Sequence, residues 1–178
     1  KPKDILVPTV SLLIICLVIT AALAYTNSLT AAPIAEQNEL KAQQSRETVL
    51  PQAKSFEKVD EENACYKGFD ENGGVVGYTM TEKSKGYGGD VEVMIGIDST
   101  KDSVSGVVIL SHNETPGLGA NAVKEDFRNQ FKQVLPGDGF KVIKNASPAQ
   151  GEIEALTGAT ITSRAVTNAV NTAVKYYN

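Results

Sequence analysis

The chain has 178 residues, 42% of them hydrophobic, which suffices for one modest core and an anchor. Its 17 Lys and Arg against 21 Asp and Glu give a formal charge of -4, and no basic run interleaved with aromatics occurs, so nucleic acid is excluded as a partner. The two cysteines, Cys16 and Cys65, lack metal-ligand spacing, and no metal site is expected.

Residues 1–4 carry Lys1, Lys3 and Asp4, after which no charged side chain appears from Ile5 through Ala24. At the helical rise such a run spans about 30 Å, the thickness of a bilayer's hydrocarbon core. It predicts one transmembrane helix over residues 5–25, with Pro8 in its first turn, where a missing N–H costs least. Lys1 and Lys3 put the N-terminus in the cytoplasm and the rest of the chain outside a cell membrane. A cleaved secretory signal is the rival reading, because Ala22-Leu23-Ala24 resembles a cleavage site; the apolar run, however, exceeds the usual signal core of about 7–15 residues. One span without an internal charge is an anchor rather than an ion pathway. Cys16 faces lipid or a neighbouring helix, and its separation from Cys65 by the membrane interface argues against a disulfide.

Residues 26–60 read as a juxtamembrane stalk. The stretch 36–58 is rich in Glu, Gln, Lys and Ala, which favours helix, and Ala35, Ala42 and Val49 give it only a thin apolar stripe. Pro51 ends or kinks it. A compact domain over residues 61–178 follows. Residues 64–69 and 75–80 flank Asn72-Gly73-Gly74 as a hairpin, with Cys65 a small buried hydrophobe. Val91, Val93, Ile95 and Ile97 alternate with Glu92, Met94 and Gly96, which predicts a half-buried strand. Residues 104–110 have apolar side chains of both parities and read as a central strand. A helix is expected over 120–131, with Val123, Phe127 and Phe131 on one face, then a short strand over 140–143. From Ser163 onward, Val166, Ala169, Val170, Ala173, Val174 and Tyr177 recur at helical spacing. Antiparallel hairpins with segregated helices make the fold class α+β.

Three segments remain. Lys85-Gly86-Tyr87-Gly88-Gly89 is a glycine-rich turn, and His112-Asn113-Glu114-Thr115-Pro116-Gly117-Leu118-Gly119 joins a strand to a helix. By themselves both read as ordinary connections. The third, Leu156-Thr157-Gly158-Ala159-Thr160-Ile161-Thr162-Ser163, combines small residues with hydroxyls just before a helix. Small residues admit a bulky ligand, hydroxyls supply a nucleophile, and a helix N-terminus favours a phosphate. The alternative is that Thr162 or Ser163 simply caps the helix. Asn113-Glu114-Thr115 and Asn145-Ala146-Ser147 match a glycosylation triplet that arises often by chance.

The stretch Thr157-Gly158-Ala159-Thr160-Ile161-Thr162 resembles the S/T-G-A-T-x-S/T motif of the flavin-binding domain in the G subunit of Rnf complexes and the C subunit of sodium-pumping quinone reductases. The other two segments also resemble that family, in the same order. The resemblance implies FMN joined by a phosphoester to Thr160, with Thr157, Thr162 and Ser163 as alternative attachment points. It implies a flavin transferase as a maturation partner, using FAD as donor. It further implies cofactor contacts at Thr157, Gly158, Ala159, Ile161, Thr162 and Ser163 on one side, at Gly86, Tyr87, Gly88 and Gly89 on another, and at Glu114, Thr115, Gly117, Leu118 and Gly119 on a third. Tyr87 is either a stacking partner for the ring or an ordinary core aromatic, and His112, the only histidine, reads as a structural or rim residue. No residue is expected to be catalytic.

The expected function is an electron relay through covalent FMN in an ion-translocating ferredoxin:NAD oxidoreductase, the Rnf complex, with its other membrane subunits and the bilayer as partners. Complete catalytic activity is not expected from this chain alone, since it has neither an iron–sulfur cysteine cluster nor a dinucleotide fingerprint. The C subunit of a sodium-pumping NADH:quinone reductase is the alternative within the family. A membrane-tethered binding or sensing module without redox chemistry is the alternative outside it.

Overall fold

A computed structural model describes residues 2–60, 64–144 and 147–177. Lys1 of the expected cytoplasmic terminus, the expected domain start at residue 61, and Asn145-Ala146 of the second glycosylation triplet lie outside the described residues. Two compact units divide the chain, the first ending at Lys41 and the second beginning at Ala42.

Helix α1 runs Pro2–Val49 without interruption, so the expected anchor and the helix-favouring stretch after it, as far as Val49, are one helix. Its start at Pro2 puts Pro8 inside the helix instead of in its first turn; Pro33 is also inside. Ile5, Leu6, Leu12, Ile15 and Leu23 all stand exposed, and the most apolar 18-residue window has a mean hydropathy of 2.7 with none of it buried. A helix this long and apolar anchors the chain in a membrane, where lipid covers what protein does not. It stops at Val49 because Pro51 disfavours helical backbone at the residue before it.

In the second unit, β1 (Ser55–Asp60), β2 (Cys65–Phe69), β3 (Val75–Lys85), β4 (Asp90–Asp98) and β5 (Ser103–Ser111) form an antiparallel meander in chain order. The expected stalk therefore ends early: β1 is an edge strand of the sheet. The β2–β3 turn is held by Asp70, whose Oδ1 accepts the N–H groups of Asn72 and Gly74, each at 2.8 Å, while Gly73 takes φ +79°. After β5 come turns of 3-10 helix at Gly119–Val123 and Asn129–Phe131 around the four-residue α2 (Glu125–Arg128). Short parallel strands β6 (Lys141–Ile143) and β7 (Glu152–Glu154) then lead to α3 (Thr160–Tyr177). The whole is an α+β domain, with an antiparallel main sheet and helices gathered after it.

One face of the sheet packs against α3. Val91, Val93, Ile95 and Ile97 of β4 meet Val166, Ala169, Val170, Ala173 and Val174 in one core, closed by Phe127, Phe131, Phe140 and Cys65. Two expectations give way here. The strand 104–110 is an edge strand; a bulge opposite Gly96 and Ile97 shifts its parity, so that Val104 and Val107 both face the core. The helix 120–131 is broken at Lys124, whose φ -70° and ψ 145° are extended, and Val123 is left exposed.

The other face is covered too, which is why Met94 is buried and β4 is not half-exposed as its alternation suggests. Val49, the last residue of α1, and Leu50 just after it are completely buried. They lie in a trough made by missing side chains: a Cβ on Gly96 would stand 2.2 Å from the Val49 carbonyl oxygen, one on Gly106 2.8 Å from Val49 Cα, and one on Gly68 2.6 Å from Leu50 Cδ2. Ser105 Oγ donates to the Val49 carbonyl at 2.5 Å, and the Arg46 guanidinium lies 4.2 Å from the Tyr66 ring centroid. Backbone blocks the space beside Gly96, so Gly96→Ala forces α1's last residues outward. We expect a loss of about 2 kcal/mol, read as a lower melting temperature of the detergent-solubilised chain; unchanged melting would show that Val49 is not seated on Gly96.

Candidate functional site

Helix α3 begins at Thr160, three residues before the apolar periodicity becomes visible. Gly158, at φ +74°, makes the turn into it, and Ala159 N donates to Leu156 O at 2.9 Å. Neither Thr162 nor Ser163 caps the helix. Ser163 Oγ accepts from Leu156 N at 3.0 Å and donates to Ala159 O at 2.9 Å, so it ties the incoming chain to the first turn. Thr162 Oγ1 donates to Glu114 Oε2 at 2.6 Å. Both residues are buried. Thr157 is exposed and Thr160 half-buried, and no side-chain hydrogen bond engages either among the described residues.

The partner of Thr162 is the centre of the site. Glu114, only 6% exposed, also accepts at Oε1 from the N–H groups of Tyr87 at 2.8 Å and Gly88 at 3.1 Å. One carboxylate thus joins all three motif segments, across separations of 26, 27 and 48 residues. Burial alone raises its pKa. The hydroxyl of Thr162 and the amides of Gly88 and Tyr87 outweigh it and hold the carboxyl below its ordinary value. His112 Nδ1 accepts the N–H of Glu114 at 3.2 Å.

Two of the six motif glycines lie against this junction and a third lies against the backbone beside it. A Cβ on Gly86 would stand 2.2 Å from Glu114 Oε1, one on Gly119 2.5 Å from both Glu114 Oε2 and Thr162 Oγ1, and one on Gly88 1.9 Å from the Asn113 carbonyl oxygen. Gly89 and Gly117 serve turns, at φ +137° and +78°. Of the residues expected at a cofactor, Gly86, Gly88, Gly89, Gly117 and Ser163 are absent from the cleft wall described next.

That cleft has a volume of about 730 Å³ and is lined on one side by residues 157–162 and on the other by Tyr87, Glu114, Thr115, Leu118 and Gly119. Tyr87 is 72% exposed, Ile161 53% and Leu118 44%, so an apolar rim surrounds the start of α3. Tyr87 is therefore not a core aromatic. Sequence reading missed Lys144 and Glu154, which also line the cleft. Lys144 follows β6 and Glu154 is the last residue of β7, and no local pattern marks either.

Residues 86–175 match the FMN-binding domain family, and residues 2–49 match the RnfG N-terminal region. Sheet, cleft and helix start thus define the class: an FMN-binding α+β domain following an apolar N-terminal helix. The chain is 40% identical to the G subunit of the proton-translocating ferredoxin:NAD(+) oxidoreductase complex of Clostridium ljungdahlii, over 98% of this chain and 94% of that protein. It is 38% identical to the G subunit of the Na(+)-translocating ferredoxin:NAD(+) oxidoreductase complex of Acetobacterium woodii, over 93% and 88%. With the G subunit of the ion-translocating oxidoreductase complex of Methanosarcina acetivorans the identity is 36%, over 98% and 95%. The chain belongs to the RnfG family. Among solved structures, the C subunit of the Na(+)-translocating NADH-quinone reductase of Parabacteroides distasonis is 28% identical with a TM-score of 0.51, over 64% of this chain and 59% of that one. NqrC of Shewanella oneidensis shares the fold, with a TM-score of 0.55 at 20% identity over 67% and 64%.

A group whose folded pKa is lowered contributes stability above its unfolded pKa and loses it as pH falls through the folded value. The melting-temperature gap between wild type and Glu114→Gln is accordingly expected to be widest at neutral pH and to close below about pH 4, the ordinary range for Glu. A gap independent of pH would contradict an ionised, stabilising Glu114.

Proposed function

We propose that this chain is the flavin-carrying electron relay of a membrane-bound, ion-translocating ferredoxin:NAD oxidoreductase complex, with FMN joined through its phosphate to Thr160 Oγ1. The observation that carries the reading is the convergence of three distant segments on one cleft, where Thr160 presents an unengaged hydroxyl at a helix start.

The residues present suit FMN. The cleft volume lies within the roughly 300–1,000 Å³ of small-molecule sites. The start of α3 offers backbone N–H groups and a positive dipole end to a phosphate, and Lys144 adds a cation to the same cleft. Tyr87, Leu118 and Ile161 offer apolar surface to a ring system. Thr162 and Ser163 are poor attachment points, because burial and hydrogen bonding occupy their hydroxyls. When bound, FMN supplies both one- and two-electron redox capacity, which suits a relay between one-electron carriers and a two-electron acceptor. Thr160 holds the group and takes no part in electron transfer. A covalent tether keeps the local concentration high where the site is an open cleft.

The apolar helix keeps this domain at the bilayer, and Lys1 and Lys3 support an extracytoplasmic domain on a single-pass chain. Attachment is assigned to a flavin transferase: the Thr160 oxygen takes the FMN portion of FAD, and AMP leaves. Other subunits of the complex supply the electron donor and acceptor sites. The near-full-length likeness to G subunits, against a shorter one to the C subunit of a quinone reductase, supports the Rnf assignment. A non-redox sensing module gives no reason for the three segments to meet at one cleft.

Coexpressed with a flavin transferase, the chain is expected to give a band on a denaturing gel that fluoresces under ultraviolet light, and Thr160→Val to lose that band while staying folded. Fluorescence retained in Thr160→Val would move the attachment to another hydroxyl, with Thr157 first. A dark wild-type band would remove covalent FMN from the reading.

A further inference from the structure

Three charged side chains line the cleft among the described residues: Glu114, Lys144 and Glu154. Lys144 and Glu154 are exposed and of opposite sign, so solvent screens both and their effects on the cleft oppose each other. Glu114 differs. Its carboxylate is buried, and the groups that satisfy it are two backbone amides and one hydroxyl, all uncharged. No Lys or Arg among the described residues pairs with it. His112, two residues earlier in the chain, uses Nδ1 to accept the Glu114 backbone N–H. Dipoles can stabilise an anion at contact distance, but their fields fall off faster than that of the charge. The cleft therefore sees a net negative charge fixed in its wall.

We propose that the Glu114 carboxylate, besides joining the walls of the cleft, is a tuning group that lowers the reduction potential of a flavin held there. The proposal rests on the flavin reading above. A fixed negative charge opposes the net gain of one negative charge that accompanies two-electron, one-proton reduction, and it does so more strongly in a partly desolvated wall than in water. Glu114 acts through its field: both of its oxygens are engaged by protein groups, so it is a positioning residue and not a ligand. Its hydrogen bonds come from backbone amides and a buried threonine, which keeps the charge from swinging out into solvent.

Glu114→Gln separates charge from shape. Its amide oxygen can accept from Tyr87 and Gly88, and its NH2 can donate to Thr162 Oγ1. The test is the midpoint potential of the attached flavin, measured on the full chain coexpressed with a flavin transferase by titration with dithionite against a reference dye. The expected result is a covalent fluorescent band in Glu114→Gln with a midpoint potential shifted to more positive values. Thr115→Lys provides a second arm should Glu114→Gln fail to fold, since Thr115 is exposed on the same wall and the added cation opposes the same field. It too is expected to shift the potential upward, and the shift should shrink as salt is raised. An unchanged potential in a folded, flavin-bearing Glu114→Gln overturns the proposal and leaves Glu114 a purely structural clamp; so does an unchanged potential in Thr115→Lys where that arm stands in. A wild-type chain without attached flavin removes the flavin reading and this proposal with it, so the two failures are told apart by the wild-type band.

Discussion

The site depends on one buried carboxylate shared among three segments. Burying Glu114 without partners is costly, and the amides of Tyr87 and Gly88 and the Thr162 hydroxyl offset that cost. The consequences run outward from there. The glycines at 86 and 119 are needed because any side chain at those positions strikes Glu114, and Gly88 is needed because the loop lies on the Asn113 carbonyl. Thr162 is turned inward, so its neighbours on α3, Thr160 and Ile161, face the cleft. Fixing the 86–89 loop to Glu114 leaves Tyr87 standing in the open. A motif that looks like a set of cofactor contacts is, in good part, the scaffold that shapes the space for one.

The sheet beneath carries structure on both faces. Helix α3, with Thr160 at its first position, covers the face formed by Val91, Val93, Ile95 and Ile97. The end of α1, through Val49 and Leu50, covers the other by lying where Gly68, Gly96 and Gly106 have no side chains. Strand β4 serves both, which explains why it is buried nearly from end to end. The chain thus begins its folded domain before the sheet, with the last turns of a helix whose earlier turns are apolar and exposed.

Features with a local physical signal were legible in the sequence. The charge-free run gives the apolar helix, the alternation of Val91 to Ile97 gives β4, the spacing of Val166 to Val174 gives α3, and Asn72-Gly73-Gly74 gives the hairpin. What escaped depends on distant partners or on unmarked breaks. Strand β1 exposes Glu57 and Lys58 and resembles a solvated stalk until it pairs with β2. The bulge in β5 reverses which side chains face the core, and apolar residues of both parities look the same in an edge strand as in a central one. Lys124 breaks the 120–131 helix with neither Gly nor Pro to mark the place. Glu152–Glu154 is too short and too charged to read as a strand, yet it pairs with Lys141–Ile143 and so brings Lys144 and Glu154 to the cleft wall. Of the candidate site, residues 157–162 and the loop residues Tyr87, Thr115 and Leu118 line one cleft. The part played by Glu114 was hidden because all three of its long-range bonds reach across at least 26 residues.

If Glu114 draws Thr162 inward and Ser163 is bound to Leu156 and Ala159, one hydroxyl of the first turn of α3 is left to carry a covalent group. Tryptic cleavage after Lys144 and Arg164 isolates all four candidates, Thr157, Thr160, Thr162 and Ser163, in one peptide. Fragmentation mass spectrometry of that peptide from the chain matured with a flavin transferase locates the attached group among them. A single added mass of FMN less one water, borne by Thr160, is expected; the same mass on Thr157, Thr162 or Ser163 would contradict attachment at Thr160.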